Sequence, residues 1–249
     1  MVVIFMTGQV PEDLKYVVDY FNSYSDAESS SDGYYQRIFS EKLVGNGDTV
    51  YDIGVGSGNH LPELSKVVGK SGKVVGIDVH PKKIQKAKEI VNAFHFSNVN
   101  VSFGDGRNLS NTPMKYNEAD DVLIFGVLQY LNKFNAGKVL DEAAKACKPS
   151  GKIILGTAAQ EYFEESLKYH NADIVILKRV ENGMLPLYPS TEVGTIFTKN
   201  KITEEFKSRG FSAEVFSYKN KDVFPDNIMV EPDYIRNLPS EHFVVAKHI

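Results

Sequence analysis

Hydrophobic and polar positions along this chain change period repeatedly, and from Asp48 onward they follow one rhythm. A short apolar run gives way to residues spaced three and four apart, and then another short apolar run begins. That alternation predicts parallel strands joined by helices that cover both faces of the sheet.

The first run is Thr49-Val50-Tyr51-Asp52-Ile53, and Leu61, Leu64, Val67 and Val68 follow at helical spacing. Pro62 falls in that helix's first turn, where a missing N–H does little harm, and Gly69 and Gly72 close it. Lys73-Val74-Val75-Gly76-Ile77-Asp78 reads as the second strand, and Pro81 opens a helix carrying Ile84, Ala87, Ile90 and Val91. Val99, Val101 and Phe103 alternate as a third strand. Asp121-Val122-Leu123-Ile124-Phe125 is continuous enough to be a central strand buried on both sides. A helix through Val139, Leu140, Ala143 and Cys147 leads to Pro149, Gly151 and a fifth strand at Ile153-Ile154-Leu155.

Beyond that point the rhythm loosens. A helical stretch is expected near Glu161 to Tyr169, while 171 to 197 fits no repeat unit. A helix near Thr203 to Ser208 precedes Phe211-Ser212-Ala213-Glu214-Val215-Phe216, and His242-Phe243-Val244-Val245-Ala246 pairs with it as a terminal strand. Pro225, Pro232 and Pro239 mark 217 to 241 as a long irregular loop. Before position 48, Leu14, Val17, Val18 and Phe21 suggest a helix in an appended arm or lid. The expected organisation is thus an N-terminal helical arm over 1–47 and one domain over 48–249. Its insertions near 171–197 and 217–241 are placed to form a substrate site.

Composition changes this picture little. A chain of 249 residues, 42% apolar and 24% charged, is an ordinary globular domain able to bury its own core. A formal charge of −4 leaves no basic surplus to neutralise phosphates, so a nucleic-acid partner is unlikely. The lone Cys147 cannot form an intrachain disulfide and is expected as a buried small hydrophobe on its helix. The apolar start from Val2 to Met6 is too short for a signal-peptide core, and no later stretch approaches a membrane span. A cytoplasmic protein is expected.

Chemistry concentrates in Asp52-Ile53-Gly54-Val55-Gly56-Ser57-Gly58-Asn59, between a strand and a helix. Glycines there let backbone turn sharply and approach a ligand that a Cβ would obstruct. A dinucleotide fingerprint wants its third glycine where Asn59 stands, and a phosphate-gripping loop would end in Gly-Lys-Ser/Thr. Neither fits. Twenty residues after Gly58, Asp78 ends the second strand, where a carboxylate can accept from both hydroxyls of a ribose, with Val79 beside it to cover an adenine face.

The segment from Asp52 to Gly58 is similar to the first motif of class I S-adenosylmethionine (SAM) dependent methyltransferases. Gly104-Asp105-Gly106-Arg107-Asn108-Leu109 resembles that family's adenine-binding turn, in which an aspartate accepts from the exocyclic amine. Gly126-Val127-Leu128-Gln129-Tyr130-Leu131 resembles its fourth motif, with Phe125 as the residue expected against the methionine part of the cofactor. Lys148-Pro149-Ser150-Gly151-Lys152 resembles the turn before its fifth strand, with Ser150 where a second glycine is common. The resemblance runs from about Thr49 to Thr157 and implies a Rossmann-like three-layer sandwich, a mostly parallel seven-stranded sheet with an antiparallel last strand. It also implies SAM as cofactor, held by Asp52, Gly54, Gly56, Gly58, Asp78, Val79, Asp105, Gly106 and Phe125.

The acceptor is less legible. His170, Glu161, Tyr130 and Tyr188 are candidate general bases, and no spacing singles one out. There is no Asp/Asn-Pro-Pro-Tyr motif, no Pro-Cys or Thr-Cys nucleophile and no His/Cys cluster with zinc spacing, so base methylation of those kinds and a metal are not expected. Transfer to a small molecule is the leading expectation. The alternatives are a protein or RNA acceptor, supported by the Lys199-Asn200-Lys201 and Lys219-Asn220-Lys221 clusters, and a module that binds SAM or its demethylated product without turnover. The oligomeric state is left open.

Overall fold

A computed structural model describes residues 9–15, 18, 38–160, 184–186, 193–219 and 239–249. Strands β1 (Thr49–Ile53), β2 (Lys73–Asp78), β3 (Val99–Phe103), β4 (Ala119–Phe125) and β5 (Cys147–Ala158) lie parallel. A short pair, β6 (Met184–Pro186) and β7 (Val193–Thr195), stands apart as an antiparallel ribbon. β8 (Phe211–Lys219) and β9 (Pro239–His248) complete a seven-stranded sheet of order β3-β2-β1-β4-β5-β9-β8. The last strand, β9, runs antiparallel to both neighbours, as the family resemblance implied.

Side-chain parity along the strands divides the core in two. Val50, Val74, Leu123 and Ile154 face α1 (Leu61–Val68) and α2 (Pro81–Ala93), while Tyr51, Val75, Val122 and Ile153 face α3 (Lys133–Ala146) and α4 (Lys199–Lys207). A sheet buried on both faces between two helical layers is the three-layer sandwich. The caps follow local chemistry. Pro62 and Pro81 sit in first turns, Gly69 ends α1 with φ +67, and the side chains of Asn132 and Thr198 accept from Asn135 and Lys201 N–H groups to start α3 and α4.

Several boundaries differ from the sequence reading. Cys147 is not helical: α3 ends at Ala146, and Cys147 opens β5, which pairs with Ala119 before a register shift and so begins six residues earlier than expected. Its environment is as expected, 1% exposed, and burial raises the thiol to about 12. The helix expected from Thr203 begins at Lys199. The region read as loop from 217 contributes Ser217, Tyr218 and Lys219 to β8, because β9 extends far enough back to pair with them. The stretch Glu161 to Tyr169 and most of 171–197 lie outside the described residues, as does the arm beyond Lys15 apart from residues 18 and 38–47. No described helix is long and apolar enough to cross a membrane.

Candidate functional site: the carboxyl ends of β1 to β4

Neighbours of β1 diverge. β2 and β3 lie to one side and β4 and β5 to the other, so the chain switches direction between β1 and β4. Open α/β sheets bind ligands in the crevice beyond the strand ends at such a point. The sequence-predicted residues gather there. Residues 54–59 leave β1, Val79 leaves β2, Asp105 and Gly106 leave β3, and Gly126 leaves β4.

Asp78 ties three tips together. Its Oδ2 accepts from Gly56 N–H at 3.0 Å, its Oδ1 from His80 N–H at 2.8 Å, and its backbone carbonyl from Gly104 N–H at 3.1 Å. Desolvation raises its carboxyl above the usual carboxylate range, against the pull of Lys83 and the two N–H bonds. Among the described residues two of roughly four acceptor positions on the carboxylate are filled, which leaves room for a ligand hydroxyl pair. The N-cap of α2 is His80, whose Nδ1 accepts from Lys83 N–H at 3.5 Å.

The glycines divide by what a methyl group would meet. A Cβ on Gly54 would stand 2.3 Å from Val127 Cγ2, on Gly58 2.6 Å from Leu61 Cδ1 and 3.0 Å from Ala87 Cβ, and on Gly106 2.5 Å from Ile53 Cγ2. Those three are required by packing. Among the described residues, a Cβ at Gly56, with φ +57, meets nothing within 4 Å, and the same holds at Gly126, with φ +63. These two backbones border open space on either side of the switch point, where a ligand can lie flush against them.

Two site residues are already engaged. Asp105 holds the Arg107 side chain, with Nε at 3.0 Å from both carboxylate oxygens and Nη2 at 2.8 Å from Oδ2. Phe125 does not face the crevice with its ring: it is 3% exposed and stacks on Phe243, centroids 6.2 Å apart, on the α1 and α2 side of the sheet. At the tip of β4 it is Gly126, not Phe125, that borders open space. Val79 is partly buried against the core beneath the β2 tip.

Sequence reasoning missed three features. Asp52, fully buried on the α1 face, is bonded to His60 Nε2 at 2.7 Å, so the two ends of the glycine loop are stapled. Nothing in the spacing marks His60 as that partner. Arg107 was seen only as a turn residue. Gly194 on β7 was unassigned, yet a Cβ there would lie 1.6 Å from Gln129 O, so the ribbon runs directly over the turn that follows β4. Thr195 Oγ1 donates to Leu131 O at 2.7 Å and fixes the same crossing. Among the candidate bases only Tyr130, partly buried in that turn, lies within the described residues; His170, Glu161 and Tyr188 fall outside them. The described residues contain no group of three or more potential metal ligands.

The fold is Rossmann-like, with the candidate site at the carboxyl ends of its central strands. The family model of the methyltransferase domain matches residues 45–210, two thirds of the chain, and the protein belongs to that family. Solved SAM-dependent methyltransferases share its class I fold, and SAM is the cofactor of the class. Over 111 residues the chain is 33% identical to protein-L-isoaspartate O-methyltransferase of Methanococcus maripaludis, covering 40% of this chain and 52% of that one. Over 121 residues it is 31% identical to tRNA (guanine-N(7)-)-methyltransferase of Helicobacter pylori, covering 47% of this chain and 30% of that one. The chain thus spans about half or less of the length of these curated relatives. A complex of the Haloferax volcanii Trm112 methyltransferase activator with a methyltransferase aligns at TM-score 0.64 and 18% identity, over 96% of this chain and 97% of that one.

Proposed function

We propose that the protein transfers a methyl group from SAM to a small-molecule acceptor bound at the carboxyl ends of β1 and β4. The observation that carries this reading is the pair of open glycine backbones, Gly56 and Gly126, at the switch point, with the Asp78 and Asp105 carboxylates at the neighbouring strand ends. No lysine follows Gly58, and Asn59 takes that place, so the loop suits an uncharged ribose better than a polyphosphate.

In this reading Asp78 accepts from the ribose hydroxyls with its unfilled lone pairs, Asp105 takes the adenine amine, and Val79 covers the base. Gly54 and Gly58 let the loop fold without touching the ligand. Asp52, held by His60, keeps the loop's first turn in register. When bound, SAM supplies an electrophilic methyl on a sulfonium, and the protein's task is to align an acceptor behind it and exclude water. The β6–β7 ribbon, seated on Gln129 at Gly194, forms one wall of the acceptor side. An acceptor atom that carries a proton must pass it on, and Tyr130 is the described candidate to receive it. The N-terminal segment, with Leu14 buried in the core, supplies a second wall. Walls on two sides suit a small acceptor better than an extended one.

The names of the relatives favour a second reading, a protein or RNA acceptor. Incubating the protein with methyl-labelled SAM and a fractionated cell extract separates the two. Label in a metabolite that appears only with active protein supports the small-molecule reading. Label in macromolecules, removed by protease or nuclease, supports the second. Tight SAM binding without label in any fraction would leave a binding module and refute both.

A further inference from the structure

Arg107 sits where the cofactor end of the sheet meets the N-terminal segment. Its side chain is 10% exposed and lies between two carboxylates. On one side it grips Asp105 through Nε and Nη2, and its own backbone N–H donates to Asp105 Oδ1 at 2.9 Å. On the other, Nη2 donates to Asp13 Oδ1 at 3.1 Å and Nη1 pairs with Asp13 Oδ2. Asp13 belongs to the 3-10 turn Glu12–Leu14, and its neighbour Leu14, 2% exposed, is part of the core cluster on the α3 and α4 side of the sheet. The Arg107 pair holds the Asp13 carboxyl below the usual range. The turn is therefore docked by an apolar plug and by one half of a shared guanidinium.

The sharing has a consequence for the cofactor. The Arg107 N–H, Nε and Nη2 donors occupy nearly all the acceptor positions of Asp105. An amine donor arriving at Asp105 must displace part of the guanidinium, and a charge 10% exposed cannot be left unpaired without cost. The remaining partner within reach is Asp13.

We propose that Arg107 is a positioning residue which couples cofactor binding at the β3 tip to the seating of residues 9–15. The coupling rests on the adenosyl reading of the site. Occupied, the β3 tip hands the guanidinium toward Asp13 and tightens the N-terminal turn. By linkage, loss of Asp13 must weaken the cofactor by the same factor by which the cofactor tightens the turn.

The full chain tests this with two readouts. Calorimetry with SAM and with S-adenosylhomocysteine measures affinity. Hydrogen exchange at the Leu14 amide, bonded to Pro11 O at 2.9 Å, reports seating of the turn. For the wild type, saturating cofactor is expected to slow Leu14 exchange by about fivefold, and Asp13→Asn is expected to lose that response and bind cofactor about fivefold more weakly. Asp13 is 61% exposed, so this isosteric change leaves the fold intact. Asp13→Glu should restore part of both effects, which a packing defect at the turn would not allow. Unchanged affinity and an unchanged exchange response in Asp13→Asn, with the wild type binding normally, would overturn the coupling alone. A wild type that binds neither compound would overturn the adenosyl reading and this inference with it.

Discussion

Alanine at Gly56 and alanine at Gly58 should have opposite consequences, although the two positions are two residues apart on one loop. Both have positive φ, +57 and +76, so each substitution places an L side chain in the left-handed region at a cost of about 1–2 kcal/mol. At Gly58 the new methyl also lands 3.0 Å from Ala87 Cβ and 3.3 Å from its Cα, within the packing of the loop on α2. Leu61 Cδ1, at 2.6 Å, can rotate away, but the Ala87 backbone cannot. Overpacking of that kind adds about 1–3 kcal/mol, so Gly58→Ala should lose about 2–5 kcal/mol. For a chain of this size that lowers the melting midpoint by roughly 5–15 °C. At Gly56 no described residue lies within 4 Å of the new methyl, so stability should fall only by the backbone cost. The methyl stands instead in the space assigned to the cofactor, and SAM affinity should fall at least about tenfold. Thermal unfolding without ligand and calorimetry with SAM read the two quantities separately. Equal loss of affinity in both variants, or an unchanged affinity in Gly56→Ala, would refute the division of the loop into a packing side and a ligand side.

Other perturbations probe the rest of the molecule. Asp78→Ala removes the acceptor for Gly56 and His80 N–H groups and should weaken SAM by more than about tenfold; calorimetry showing wild-type affinity would remove its assignment to the ribose. Asp121 is fully buried with Lys152 Nζ at 2.6 Å, and desolvation raises its carboxyl to about 7. The native state then holds a proton that the unfolded chain releases near 3.8, so this stabilisation is complete at low pH and is lost as pH climbs toward 7. The amount is up to about 4 kcal/mol, and in Asp121→Asn the difference in denaturant stability between pH 4 and pH 8 should shift by a large part of it. An identical pH dependence in the two proteins would contradict this account. Cys147 should resist thiol reagents at pH 8 until the protein unfolds, and labelling of native protein at the rate of an exposed thiol would show its burial to be wrong. Gly194→Ala cannot be accommodated over Gln129 and should dislodge the β6–β7 ribbon, leaving SAM affinity within about twofold while turnover falls at least about tenfold. Full turnover in that variant would take the ribbon out of the acceptor site.

The amino-acid order by itself determined the sandwich, because period-2 and period-3.6 patterns, proline at helix starts and glycine at helix ends are local and each needs only its neighbours. It also placed the candidate site residues Asp52, the glycine run, Asp78 and Asp105 at strand ends, since those positions follow from the local pattern. It missed the early start of β5 at Cys147, where pairing with Ala119 overrides a helical pattern. It could not tell which glycines touch ligand, because that depends on whether Val127, Leu61, Ala87 or open space faces each Cβ. Nor could it pair His60 with Asp52, Arg107 with Asp13, or Phe125 with Phe243, since parity across strands and contacts over long sequence separations decide which groups meet. Local periodicity placed the elements, and only tertiary packing decided which of their side chains were already occupied and which remained free for a ligand.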